Sequence, residues 1–368
     1  MLPLLLAALC YLPTTTATPA PITFGFSGSL SGHFGTYGTM ITRGILAAFN
    51  AKNATGGVDG HPLTLICKDD RGNAQQTVAN ITALRNAGTS WFLGVMSSHS
   101  MRKTVEQIKQ LDIAMLFPWG ATPELHNPTA RGYIGGLGNI QAQINTLLNE
   151  IVHVQKIKRL GLFHADDTFS TQAAGYCTKS LLSTYNTTPV ASTVYNRYTL
   201  DIPHSTQTFM AADPRVIICL GTSMPTVTLI NQLFERKFYG VRLFGTDATF
   251  LVPQILQSKG VNFTYASPVP DPVTSGIKLA TDYRRDLTNF FPDEPHNILS
   301  FSFYIAARLV IQALEKTSTQ KTIATTTALI TQLEQFKNVD FHGFPVNFNP
   351  QNRYLFGERT WLITPAQA

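Results

Sequence analysis

The stretch RGILAAFNAKNATGGVDGHPLTLICKDDRGNAQQTVA, residues 43–79, decides the fold. Its first part continues a helical period that runs over 37–53, and a Gly-rich turn follows. LTLIC (63–67) is then an apolar run of strand length, and Asn73 opens a second helical period that stops at Gly88. Asn at the N-cap and Gly just past the last turn suit the two ends of that helix. A short strand set between two helices is the repeating unit of a parallel sheet covered by helices.

The same alternation extends outward in both directions. ITFGF (22–26), SWFLGV (90–95) and IAMLF (113–117) read as further strands, with a helix over 100–110 between the last two. A second doubly wound unit starts with a helix over 141–155. It continues through RLGLF (159–163), a helix over 171–185, PVASTVY (189–195), VIICL (216–220), a helix over 226–237 and VRLFG (241–245). Between the two units lies GYIGGLG (132–138), whose glycines suit a hinge, and SPVPDP (267–272) offers a second crossover where prolines interrupt helix and central strand alike. Helical segments over 277–290, 298–316 and 322–336 follow, then β-like runs near 345–348 and 360–364.

Length and composition agree with two lobes. A chain of 368 residues exceeds what one core usually serves, and 44% hydrophobic against 14% charged residues is a globular balance without a disordered tract. The formal charge of +6 is spread out, with no basic run interleaved with aromatics, which argues against a nucleic-acid partner. Residues 1–20 hold an apolar run over 2–12 and then small residues, the pattern of a cleaved signal peptide, although a basic start is missing. A secreted or periplasmic protein is therefore expected, without lipid attachment at Cys10. The remaining cysteines, Cys67, Cys177 and Cys219, have no CxxC spacing and read as small buried apolar residues. Four N-x-S/T triplets, at Asn53, Asn80, Asn186 and Asn262, are weak signals of glycosylation.

Three loops past strand ends draw attention. GFSGSLSGHFGTYG (25–38) leads into a helix and serves either as an anion cradle or as a tight turn. It has no Lys and no clean nucleotide-binding glycine pattern. LGVMSSHS (93–100) puts three serines before a helix, either as carboxylate donors or as an N-cap. PWGATPEL (118–125) follows the next strand, so three consecutive strand ends converge where open α/β sheets bind ligands. Catalytic patterns are missing: there is no G-x-S-x-G, no H-E-x-x-H and no metal-spaced histidines. Asp69–Asp70 and Asp166–Asp167 read as solvated or capping pairs.

In this order, SLSGHFGTYG (29–38), residues 43–79, FLGVMSSHS (92–100), FPWGATPEL (117–125), RLGLFHADDTFS (159–170) and LFGTDATF (243–250) resemble the type I periplasmic solute-binding proteins. The resemblance is to their leucine/isoleucine/valine-binding branch, the substrate-binding proteins of ABC transporters. It implies an α/β fold of two doubly wound, Rossmann-like lobes joined by a three-segment hinge. Lobe 1 would comprise 21–138 plus 268–342, and lobe 2 would comprise 139–267 plus 343–368. It further implies a non-enzymatic, monomeric protein without cofactor or metal that captures a small polar ligand such as an amino acid and hands it to a permease. A ligand-sensing receptor of the same fold is the alternative.

Residue by residue, the resemblance assigns Ser98 to the ligand carboxylate, the main chain of Trp119 to ligand contact, Asp247 to an ammonium and Tyr37 to the border of the ligand side chain. It also marks departures. Ala121, with Thr122 one place on, stands where a pocket threonine is usual; Phe169 stands for a tyrosine and Thr222 for another aromatic. Gly135–Gly136 replace a hinge arginine.

Overall fold

The computed structural model describes residues 19–120, 131–136, 139–197, 202–356 and 359–365. The expected signal peptide lies largely outside these residues, as do Ala121 and Thr122.

The first sheet contains β1 (Ile22–Gly28), β2 (Leu63–Asp69), β3 (Trp91–Leu93), β4 (Ala114–Leu116) and β5 (Tyr133–Ile134), in the order β2-β1-β3-β4-β5 and parallel throughout. Crossovers are made by α1 (Gly35–Asn53), α2 (Ala74–Asn86) and α3 (Ser98–Gln110). Asn73 caps α2 as expected, accepting from the N–H groups of Gln75 and Gln76. Strand order reverses between β1 and β3, so the loops leaving these neighbours diverge and open a crevice at their carboxyl ends.

The second sheet repeats the device. It holds β6 (Leu160–Ala165), β7 (Ala191–Tyr195), β8 (Val216–Cys219), β9 (Arg242–Gly245) and β10 (Phe263–Ser267), flanked by α4 (Ile140–Leu148), α5 (Thr168–Tyr185), α6 (Pro203–Ala212), α7 (Ser223–Glu235) and the short α8 (Val252–Ile255). Here the order reverses between β6 and β8. The helix expected over 141–155 is α4 followed by a π-helical turn over Asn149–Val154. Neither α6 nor β10 was anticipated from the sequence.

After β10 the chain returns to the first lobe through α9 (Lys278–Phe290), α10 (Ile298–Thr317) and α11 (Thr326–Leu333). Helix α10 packs along α1, where Gly44 sits directly against the Ser300 carbonyl and a Cβ would collide with it. By length and composition α10 is apolar enough to cross a membrane, yet Phe301, Phe303, Tyr304, Ile305 and Leu309 are fully buried in the fold. It is the central core helix of this lobe.

The segment 343–368, expected wholly in the second lobe, divides. β11 (Val339–Phe341), β12 (Phe344–Asn349) and β13 (Tyr354–Phe356) form a small antiparallel sheet of their own, and only β14 (Trp361–Ile363) joins the second sheet, antiparallel to β10. β13 is held to the end of β5 by Gly135 N–H donating to the Arg353 carbonyl at 2.9 Å and Leu355 N–H donating to the Gly135 carbonyl at 2.8 Å. Phe356 packs on Phe117 with ring centroids 5.9 Å apart. The anchor is Arg353, buried, whose Nε donates to the Tyr133 carbonyl at 2.8 Å and whose Nη2 pairs with Glu334 at 2.7 Å. A guanidinium out of water needs such partners, and they all lie in the first lobe.

Cys177 and Cys219 are buried as expected, but Cys67 is exposed, because β2 is an edge strand of its sheet. Of the four triplet asparagines, Asn53 exchanges two hydrogen bonds with the Leu63 backbone and Asn80 is buried, whereas Asn186 and Asn262 are exposed. Removing one member of a buried ion pair strands the other, so Arg353→Met is expected to lower the unfolding free energy by about 3 kcal/mol. A shift of the urea midpoint at unchanged m-value measures this.

Candidate functional site

The two crevices face each other across a single cavity of about 340 Å³. Its first wall is built from the loops that leave β1, β2, β3 and β4 and includes Ser29, Phe34, Asp70, Met96, Ser98, Trp119 and Gly120. Helix α3 opens on this wall without a side-chain cap and without an acidic residue in its first turn. That end of a helix carries a partial positive charge and favours an anion.

The loop preceding α3 is fixed from the neighbouring strand. Ser97 N–H donates to the Trp119 carbonyl at 2.8 Å and Trp119 N–H donates to the Val95 carbonyl at 2.9 Å, which extends the parallel sheet one step past its strands. Ser97 takes φ of +78°, an unusual value for a residue with a side chain. Gly120, at φ +148°, is required by close approach, because a Cβ there would stand 2.5 Å from Ser98 N. The main-chain N–H of Trp119 is thus committed to Val95 and its carbonyl already accepts from Ser97, and the half-buried residue lines the cavity.

Beneath this wall lies Asp70, buried and bonded to Ser27, Ser29, Thr77 and the Gly72 N–H. Burial pushes its carboxyl up and hydrogen bonds pull it back. Asp69 accepts from Leu30 N–H at 2.9 Å and Ser31 hydroxyl at 2.6 Å. This pair therefore knits the β1 and β2 loops together, which corrects the reading of Asp70 as solvated or capping.

The second wall comes from the loops after β6, β7, β8 and β9, with Asp167, Phe169, Arg197, Thr222 and Asp247 on it and Ile140 and Gln143 of α4 at its side. Asp167 caps α5 by accepting from Ser170 N–H at 2.8 Å, as a capping role predicts. Thr222 sits at the N-cap position of α7, and its N–H donates to Tyr195 hydroxyl at 3.4 Å. Phe169, in the first turn of α5, lines the cavity and packs against none of the hydrophobic clusters of the described residues.

Asp247 is the distinctive group. Its N–H donates to Gln143 Oε1 at 2.9 Å. The cavity walls shield its carboxyl from bulk solvent, and this burial pushes its pKa up to about 6, against the opposing pull of the Gln143 side chain and nearby backbone N–H groups. Among the described residues no cation contributes to that balance.

Ser98, Trp119, Phe169, Thr222 and Asp247 thus meet at one cavity. Tyr37 does not line it: it lies behind Trp119, stacked at 5.1 Å between centroids and 23° between planes. From there it reaches the other lobe, accepting from Ser223 N–H at 3.3 Å and meeting Phe250 edge-on at 6.1 Å. The sequence reading missed Gln143, Arg197, Met96 and Phe34. Gln143 and Met96 lie on buried helical or strand-end positions that periodicity reads as core.

Two doubly wound lobes that face each other across one polar and aromatic cleft define the architecture of a bilobed solute-binding protein. The sequence matches the periplasmic binding protein family over residues 21–359, and the chain belongs to that family. Among curated relatives, a Leu/Ile/Val-binding protein of Citrobacter freundii is 31% identical over 140 residues, 37% of either chain. An amino acid binding protein of Pseudomonas aeruginosa is 23% identical over 63% of this chain and 62% of its own. The chain therefore aligns with little more than a third of the length of the first relative.

Solved structures match along nearly the whole chain. A possible leucine/isoleucine/valine-binding protein from Rhodopirellula baltica has a TM-score of 0.85 at 18% identity, covering 95% of both chains. A branched-chain amino acid transporter substrate-binding protein from Streptococcus pneumoniae, in complex with isoleucine, has 0.81 at 17%, covering 94% of this chain and 97% of that one. A fatty acid ABC transporter substrate-binding protein from Thermomonospora curvata has 0.83 at 16%, with 95% and 89% covered. These likenesses establish the type I periplasmic-binding-protein fold. Family membership supports a binding role over a catalytic one, and the cargo named for these neighbours ranges from amino acid to fatty acid.

An aspartate raised above its unfolded value binds its proton more tightly when folded. The folded state thus loses stability as pH rises from about 4 to about 6 and carries the whole cost at neutral pH, roughly 2–3 kcal/mol. Asp247→Asn is therefore expected to stabilise the ligand-free protein at pH 7.5 by that order and to leave it unchanged at pH 4. Urea unfolding at the two pH values reads the difference.

Proposed function

We propose that this chain captures a small α-amino acid, or a close relative, between its lobes outside the cytoplasm and presents it to the permease of an ABC transporter. The observation that carries the reading is Asp247, a carboxylate shielded from solvent with no cation beside it among the described residues, on the wall opposite the amino end of α3. A molecule bearing an ammonium and a carboxylate complements both ends at once. The ammonium supplies Asp247 with its missing partner in a low-dielectric setting, where charge-assisted hydrogen bonds are strongest. The carboxylate meets the α3 terminus and Ser98.

Because the two charges of the ligand engage opposite lobes, binding energy favours the arrangement in which the lobes approach. Tyr37 supports that arrangement, since its hydroxyl and ring both reach the second lobe beside the cleft. The permease would then read the closed surface.

Mass spectrometry of the solute released on denaturing the purified protein identifies the cargo, and calorimetric titration with an amino-acid panel ranks it. Asp247→Ala is expected to abolish binding of amine-bearing ligands; wild-type affinity in that variant would refute the ammonium assignment. For the wild type, protons compete with the ammonium for Asp247. Affinity should be flat above about pH 7 and fall about tenfold per pH unit below about 6.

A further inference from the structure

We infer that the amino acid taken by this cleft carries an aromatic side chain, seated between the indole of Trp119 on the first lobe and the ring of Phe169 on the second. The inference rests on the amino-acid reading above and adds the chemical class of the side chain.

Three observations lead to it. First, Trp119 is a pre-set platform. It is half-buried, one face of its indole is backed by Tyr37 at 5.1 Å and 23°, and Tyr37 is in turn held by Phe34 at 6.3 Å and by Phe250 edge-on. A ring braced in this way meets a ligand without losing rotamer freedom. Second, Phe169 is half-buried, lines the same cavity from the opposite lobe and packs against none of the hydrophobic clusters of the described residues. An apolar ring kept at a cavity wall without core contacts forgoes burial that a ligand ring restores.

Third, the size fits. A benzene ring fills an apolar cavity of roughly 150 Å³. The cavity here is about 340 Å³, so a ring leaves comparable room for the ammonium and carboxylate and for their reach to Asp247 and α3. A branched aliphatic side chain would touch the same walls without the stacked or edge-on geometry that aromatic pairs reward. Two such ring contacts correspond to roughly ten- to a hundredfold in Kd. Met96 at the same wall adds a polarisable sulfur, which also suits an aromatic neighbour.

The test is calorimetric titration of the full-length protein with L-phenylalanine, L-leucine and 3-phenylpropionate, the last having the ring and carboxylate but no ammonium. The expected result is phenylalanine at least tenfold tighter than leucine, with phenylpropionate much weaker than either. Phe169→Leu and Trp119→Leu should each weaken phenylalanine about tenfold and leucine by a clearly smaller factor, so that the preference for phenylalanine collapses, and Trp119→Leu should also reduce the change in intrinsic fluorescence on binding. Leucine equal to or tighter than phenylalanine overturns the aromatic seat and leaves the amino-acid reading standing. Phenylpropionate as tight as phenylalanine supports the ring seat and overturns the ammonium reading instead. Failure of all three to bind overturns the seat.

Discussion

Every strand of the first sheet and all but the last of the second run parallel, so their carboxyl ends leave each sheet along one edge and their faces are covered by crossover helices. From this constraint the site follows. Parallel strands cannot be joined by tight turns, and the first crossover of each lobe goes to one side before the chain doubles back to the other, between β1 and β3 and again between β6 and β8. The loops that part at those two points are the ones that carry Phe34, Ser98, Phe169 and Thr222 to the cavity. No loop needs to be long to reach it.

Much of this was legible in the sequence because alternation of short apolar runs with helical periods is a signal of many residues, averaged over the whole chain. The order of loops added the family, and with it five residues that do meet at one cavity. What was not legible depended on contacts between distant residues. β10 (FTYAS) is short, mixes apolar and hydroxyl residues without a strand period, and runs straight into a Pro-rich crossover. Residues 344–356 look like any β segment, and distant contacts, Arg353 with Tyr133 and Glu334, Leu355 with Gly135 and Phe356 with Phe117, decide which lobe they join. Tyr37 was placed on the cavity wall, whereas stacking sends it one layer back. Cys67 was read as core because its strand is apolar, but edge position cannot be inferred from composition.

Two of the cleft carboxylates, Asp70 and Asp247, are buried in different ways. Asp70 is surrounded by hydroxyls and a backbone N–H, so its burial is compensated internally and it serves to fix loops. Both carboxyls are raised by burial, but Asp247 has no hydroxyl cluster around it and is pushed up to about 6. The first aspartate fixes the platform, and the second keeps a weakly compensated carboxyl on the opposite cleft wall.

The placement of α9, α10 and α11 bears on synthesis as well as architecture. The five strands of the first sheet are all made before residue 135, yet the helix that covers α1 spans Ile298–Thr317. The whole parallel part of the second sheet, ending at Ser267, leaves the ribosome in between. The lobe that begins the chain therefore waits, with the apolar side of α1 uncovered, while its neighbour becomes complete enough to fold. In a nascent chain of this design α1 lacks its covering helix until residues beyond 298 have been made, so the first lobe closes its core only after the parallel strands of the second have been synthesised.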